Sequence, residues 1–502
     1  MSLADFDYVV VGGGASGAVV ARRLGDAGVG SVCLLEAGPS DEFDQRVLRL
    51  RDWMEIGATE LNRDYELEAQ PHANSRLRHT RAIVLGGCSS HNAAIAFKPL
   101  DSDLAAWETA GAAGWGPDSV TVAWSRLRER VQIESAPDVN PLSRAFVQAA
   151  TESGLPLVRF NVDPHAEGVG WLQLNQRDGI RQSSSVAYLH PLAVLPQALE
   201  VRTESPVRRL LIEGGRATGV ELDQGPLRAN REVIVCAGAF ESPKLLALSG
   251  VGDPAELRRL GLPVLSDVPG VGRNLLDHPE GTVMFESSRP IPPESSQFWD
   301  AALFARSDRS LSEPDLMVHF GITPGDVEGA LAGYPTSEHA FCLTPNVMYP
   351  RSVGRLRLRS ADPEDLPSID FRYFSDPEGH DIKKMVAGLR LSRRIASAPA
   401  LRSWLGRELA PGSAADSEEL LCEFASSTQT TVSHPAGTCR IGAPGDELAV
   451  LDPFLRVRGV DGLRVADASV FPTMTGVNPC LTCMLVGERC AELVLAAARD
   501  SH

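Results

Sequence analysis

The strongest constraint on the fold lies in the first 36 residues. FDYVVVG is short and β-branched, the composition of a strand buried on both faces of a parallel sheet. GGGASG follows, then AVVARRLGDAG, with apolar residues at helical spacing and a closing glycine. SVCLLEAG supplies a second buried strand, which completes a βαβ unit of about 30 residues. The glycines Gly12, Gly14 and Gly17 have the form G-x-G-x-x-G. In that form the first makes the tight turn, the second admits a pyrophosphate, and the third lets helix and strand pack closely. The free N–H groups of the helix N-terminus then face the phosphates. Glu36 ends the second strand, 19 residues past Gly17, where an acid binds a ribose hydroxyl and disfavours a 2′-phosphate. The unit predicts a dinucleotide cofactor other than NADP.

Such a unit is a fraction of the 502-residue chain, which has the length of two to four domains at about 100–200 residues each. The net charge of −17 repels a nucleic-acid backbone. It serves solubility, or a field that gathers cationic substrates. The nine cysteines have scattered spacing and make no disulfide framework. Cys480 and Cys483 have metal spacing but lie in an amphipathic run without a second pair, so they read as buried thiols and no metal is expected. No apolar run of 18 residues exists, and the N-terminus has neither a basic segment nor a cleavage site. These features predict a cytoplasmic protein without a membrane span.

Along the chain, residues 40–80 read as irregular and 101–133 as helical, and PLSRAFVQAATESGLP reads as a further helix. LEVRTESPVRRLLIEGGRATGVEL reads as an alternating strand pair about a Gly-Gly turn. REVIVCAGAFESPKLLALSGVG reads as strand, turn and helix, returning the chain to the first sheet. Prolines and acids rise over 281–425, where VGRLRLRS and SIDFRYF read as antiparallel strands. From 426 the chain resembles its beginning again. The expected fold is α/β: a discontinuous Rossmann-like FAD-binding domain (1–154, 192–280, 426–502) and a substrate domain with a mostly antiparallel sheet and helices (155–191, 281–425).

Five segments, in order, resemble the glucose–methanol–choline (GMC) flavin oxidoreductases: GGGASG with LLEAG, LGGCSSHN, GAFESPKLLALSGVG, HPAGTCRIG, and VADASVFPTMTGVNPCLT. GGCSSHN, DHPEG, YFSDPEGHD and RVADASV are nearest to the choline oxidases of that family. The resemblance implies FAD rather than NAD, and oxidation of an alcohol to a carbonyl with hydride passing to the flavin N5. It implies cofactor contacts from Gly12, Gly14, Ala15, Gly17, Glu36, Ala37, Gly86, Gly87, His91, Asn92, Val207, Ala237, Asp467, Ala468, Asn478 and Pro479. His434 and Asn478 correspond to the catalytic pair, an imidazole to take the hydroxyl proton and an amide to donate to the substrate oxygen. His91 corresponds to a histidine bonded to the flavin 8α-methyl, a link that can raise its potential and fix its position.

Glu280 corresponds to a glutamate facing a trimethylammonium group, and Trp53 and Trp299 to aromatic walls suited to such a cation. The chain departs from the choline oxidases at Ala93, where they have serine, and Ser433, where they have tyrosine. One hydroxyl and one wall are lost, so a bulkier or amino-bearing primary alcohol becomes a candidate beside choline. The implied function is an FAD-dependent oxidase of primary alcohols using O2 to give an aldehyde, or an acid after a second turnover, and H2O2. A homodimer is the family expectation. Two further readings stay open: a dehydrogenase using another acceptor, for example on an aminoglycoside alcohol, and a non-redox flavin lyase. Retention of both His434 and Asn478 argues against a merely flavin-binding protein.

Overall fold

The computed structural model describes residues 5–325 and 327–500. The first four residues, part of the segment read above as lacking a leader, lie outside that range. The strand Phe6–Val11 sits at the heart of a seven-stranded sheet, flanked in parallel by Val32–Leu35 and by Gly225–Val235. Its apolar residues are buried on both faces, as the β-branched run requires. The helix Gly17–Ala27 crosses between the first two strands and stops at Gly28, which takes the left-handed conformation (φ 62°) and returns its N–H to the Gly25 carbonyl. Leu463–Val465 pairs with Gly225–Val235, so the C-terminal segment rejoins this sheet.

Two local expectations are corrected. The segment from Leu199 is not one strand pair. Leu199–Arg202 runs parallel to Val32–Leu35, and only Val207–Glu213 and Arg216–Leu222 form the hairpin about Gly214 and Gly215. Glu204 at φ 50° and Pro206 break the run between them. Residues 40–80 are not irregular throughout. They contain short helices at Gln45–Leu48 and Trp53–Ile56 and half of an antiparallel ladder, Asn62–Glu66 with Arg78–Ala82. That ladder lacks apolar alternation because cross-strand charges join it: Arg78 pairs with both Asp64 and Glu66.

The expected domain limits also shift. A second, antiparallel eight-stranded sheet has the order Leu405–Ala410, Val283–Ser287, Ala340–Val347, Leu316–Gly321, Ala301–Ala305, Gly168–Trp171. Pro279–Glu280 and Thr430–Thr431 join this sheet rather than the first. The helix Pro141–Glu152 buries Leu142, Phe146 and Ala149 in the second core, with Phe146 stacked on Phe320 at 4.4 Å. Packing therefore moves that helix, and the strands at 279–280 and 430–431, to the second body. His380–Ala396 covers the same sheet. Among the described residues no helix is long and apolar enough to cross a membrane.

Candidate active site

A cavity of about 790 Å3 runs from the glycine turn of the first sheet to the inner face of the second. At its first end the fit between segments is set by missing side chains. A Cβ on Gly17 would lie 1.9 Å from the Gly12 carbonyl oxygen, and one on Gly87 would lie 2.7 Å from the Gly14 Cα. Helix, turn and the second glycine loop therefore touch through backbone alone. Gly12, Gly14 and Ala15 line the cavity, with Glu36, Ala37, Val207 and Ala237 beside them. Glu36 accepts the Gly13 and Gly38 N–H groups, each at 2.8 Å, while burial pushes its pKa up to about 7. Asp467 accepts from the Ser242 hydroxyl and from the N–H groups of Gly238 (2.9 Å) and Ser469 (2.8 Å), which presents Ala468 to the cavity.

His91 closes a one-turn helix, Gly87–Ser90, and lines the cavity with Asn92 and Ala93. Burial opposes ionisation of the neighbouring Cys88 thiol, but the Arg81 cation and a hydrogen bond from His91 outweigh it, bringing the pKa down to about 6. Of the predicted cofactor residues, only Gly17 and Gly86 do not line the cavity; both pack behind it. Cys480 and Cys483 do line it, and burial raises both thiols. Among the described residues no cluster of three or more His, Cys, Asp or Glu is placed to hold a metal ion.

The second end brings His434 and Asn478 together, Nε2 to Nδ2 at 3.5 Å. Asn478 Oδ1 is buried without a partner. His434 rests on a residue that sequence reasoning passed over, His278, whose Nδ1 lies 2.9 Å from His434 Nδ1. The other His278 nitrogen, Nε2, lies 2.8 Å from the Thr475 carbonyl, which only accepts. His278 is held neutral, its pKa brought down to about 4 by burial. Its proton is thus on Nε2 and its Nδ1 is an acceptor, so His434 must donate from Nδ1. That leaves the His434 Nε2 lone pair facing Asn478. Burial, with His278 beside it, holds His434 well below the ordinary histidine range, against the opposing pull of Asp277.

Asp277, also unread in the sequence, fixes the turn that carries His434. Its carboxylate accepts the His434 N–H at 2.8 Å and the hydroxyls of Thr431 and Tyr373, with His79 Nε2 at 3.4 Å. Ser433 takes a left-handed conformation (φ 62°), and its carbonyl accepts from Arg81 at 2.7 Å. Glu280, Trp53, Trp299 and Ser433 all line this end, as does Pro479. The two indoles meet edge-on with centroids 5.8 Å apart. His319, another residue not singled out, lies with Nδ1 3.9 Å from Glu280 Oε1 and 3.2 Å from Asn346 Nδ2. Asp277 and His278 share DHPEG with Glu280, so a signal for them existed.

Comparison with known proteins decides the family. The GMC oxidoreductase profiles match residues 6–280 and 350–487. The chain belongs to the GMC oxidoreductase family. It is 45% identical to the choline oxidase of Arthrobacter globiformis, across 98% of this chain and 95% of that protein. It is 34% identical to the oxygen-dependent choline dehydrogenase of Sinorhizobium medicae, across 97% and 95%. Among solved structures it resembles pyridoxine 4-oxidase from Mesorbium loti, with TM-score 0.90 and 31% identity over 97% of this chain and 98% of that one. The GMC cofactor, FAD, fits this cavity. The Gly14 face is open, where an added Cβ would meet nothing closer than 3.8 Å, and the Glu36 carboxylate stands beside that turn.

Proposed function

We propose that this GMC protein is an FAD-dependent oxidase of small primary alcohols, choline-like or amino-bearing. The observation that carries the reading is the His434–Asn478 pair with its fixed proton arrangement. An alcohol oxygen against both residues gives its proton to the bare His434 Nε2 and accepts from the Asn478 amide. FAD, when bound, would supply the hydride acceptor and the route of the electrons to O2. Held by Asp277 and His278, His434 needs no reorientation between accepting the proton and releasing it. Glu280, with Trp53 and Trp299, gives a cationic head a carboxylate and two ring faces. Ala93 and Ser433 leave room for a larger head than a fuller cage would. His91, which lines the cavity, serves in this reading as the covalent tether.

The test is incubation under air with choline and a panel of primary and amino alcohols, reading H2O2, beside anaerobic bleaching of the flavin. Bleaching with peroxide supports the oxidase. Bleaching without peroxide replaces it with a dehydrogenase, a reading favoured by the 34% identity to the alcohol dehydrogenase [acceptor] of Pseudomonas putida. No bleaching by any alcohol removes both and leaves the lyase.

A further inference from the structure

We infer that Arg181 is a positive charge buried behind the His91–Asn92 segment to raise the reduction potential of the flavin held there. The inference rests on the FAD reading above. Arg181 ends the two-residue strand Ile180–Arg181 and is fully buried. Its Nε donates to the Val47 carbonyl at 3.0 Å. Its Nη1 donates to the Ser89 carbonyl at 3.3 Å, to Asn92 Oδ1 at 2.9 Å, and to the Asn92 carbonyl. Each acceptor is neutral. Nη2 is buried and has no hydrogen-bond partner.

Among the described residues no carboxylate lies within ion-pair distance of the guanidinium. It feels the Cys480 thiol and Asp41 from farther away, and the Asp41 oxygens are engaged by His190 Nε2 at 2.8 Å and by the Ser185 and Ser90 hydroxyls. Burial lowers the Arg181 pKa only to about 10, so the charge persists at neutral pH. A charge buried without a contacting counter-ion is costly, and an apolar side chain of similar length would fill the same space more cheaply. The charge itself therefore has a use.

Its position indicates what that use is. Asn92 Oδ1 accepts from Arg181 Nη1 and from the Ala94 N–H at 3.0 Å, which turns the amide nitrogen toward Cys480. His91, Asn92 and Cys480 all line the cavity, so Arg181 stands directly behind its wall. In a low-dielectric surround, a fixed positive charge favours the electron-rich state of a neighbouring cofactor.

The experiment measures the flavin midpoint potential of purified holoenzyme against reference dyes, for wild type, Arg181→Lys, Arg181→Gln and Arg181→Met. Glutamine keeps a donor for the carbonyls without the charge. Methionine leaves no orphan donor and serves if the glutamine variant does not fold. The expected result is a potential near wild type for lysine and a shift to lower potential for both neutral variants. Neutral variants at the wild-type potential overturn the inference. So does a lysine variant shifted as far as the neutral ones, since fork geometry and not charge would then matter. Folded variants that hold no flavin also overturn it, making Arg181 a scaffold residue. A wild-type protein without flavin would instead sink the FAD reading itself.

Discussion

Replacing His278 by phenylalanine removes the acceptor on which the protonation of His434 depends. The His278 ring is fully buried, and its 2.9 Å contact fixes the His434 Nδ1 proton. Without it His434 has two outcomes. It keeps that proton as an orphaned buried donor, at a cost of about 1–3 kcal/mol. Otherwise it moves the proton to Nε2 and has no lone pair for the alcohol. With each ~1.4 kcal/mol worth tenfold in rate, flavin reduction should slow on the order of ten- to a hundredfold. His278→Gln, which can still present an acceptor oxygen, should recover part of the loss. The assay is anaerobic stopped-flow bleaching of the flavin at saturating alcohol, which isolates the chemical step from oxygen. A phenylalanine variant that bleaches at the wild-type rate would refute the proton assignment.

Three other outcomes are expected. His319 is held to a pKa of about 4, chiefly by burial, with its neighbour His278 opposing a second positive charge there, below its unfolded value of 6.5. Between those pH values the unfolded ring gains the proton and the folded ring does not, so stability falls as pH falls, by at most about 1.4 kcal/mol per pH unit. In denaturant titrations His319→Asn should therefore lose stability less steeply than wild type from pH 6.5 to 4; parallel curves would contradict this. Gly17→Ala, forcing a Cβ to 1.9 Å from the Gly12 carbonyl oxygen, should yield protein without flavin, read from its absorbance. His91→Asn should release the flavin on acid precipitation where wild type stays yellow, and colour retained by the variant would place the tether elsewhere.

The first βαβ unit was legible because each of its elements has a local cause: β-branched strands, helical spacing, and glycines where backbones meet. The glycine turn that lines one end of the cavity followed from it. The ladder at 62–66 and 78–82 was not legible, since charges rather than apolar alternation hold it together. The segments that carry His434 and Asn478 were readable, and the structure brings the two side chains together. The proton arrangement between them was not, because it is decided at Thr475, 197 residues from His278. Arg81 reaches Ser433 across 352 residues, and no local pattern announces such a contact. His319 stood alone in an apolar strand and gained meaning only beside Glu280.

The left-handed backbone at Ser433 has a consequence for how such an enzyme diversifies. Its carbonyl is taken by Arg81, and the next N–H is taken by Asp277, so the main chain there is held from both sides. Among the described residues the hydroxyl at 433 makes no hydrogen bond, so this side chain projects from a frame held by the backbone. Exchanges at this position can reshape what the cavity admits while His434 beside it stays in place. Substrate scope and chemical step can thus drift apart one residue from each other in the chain.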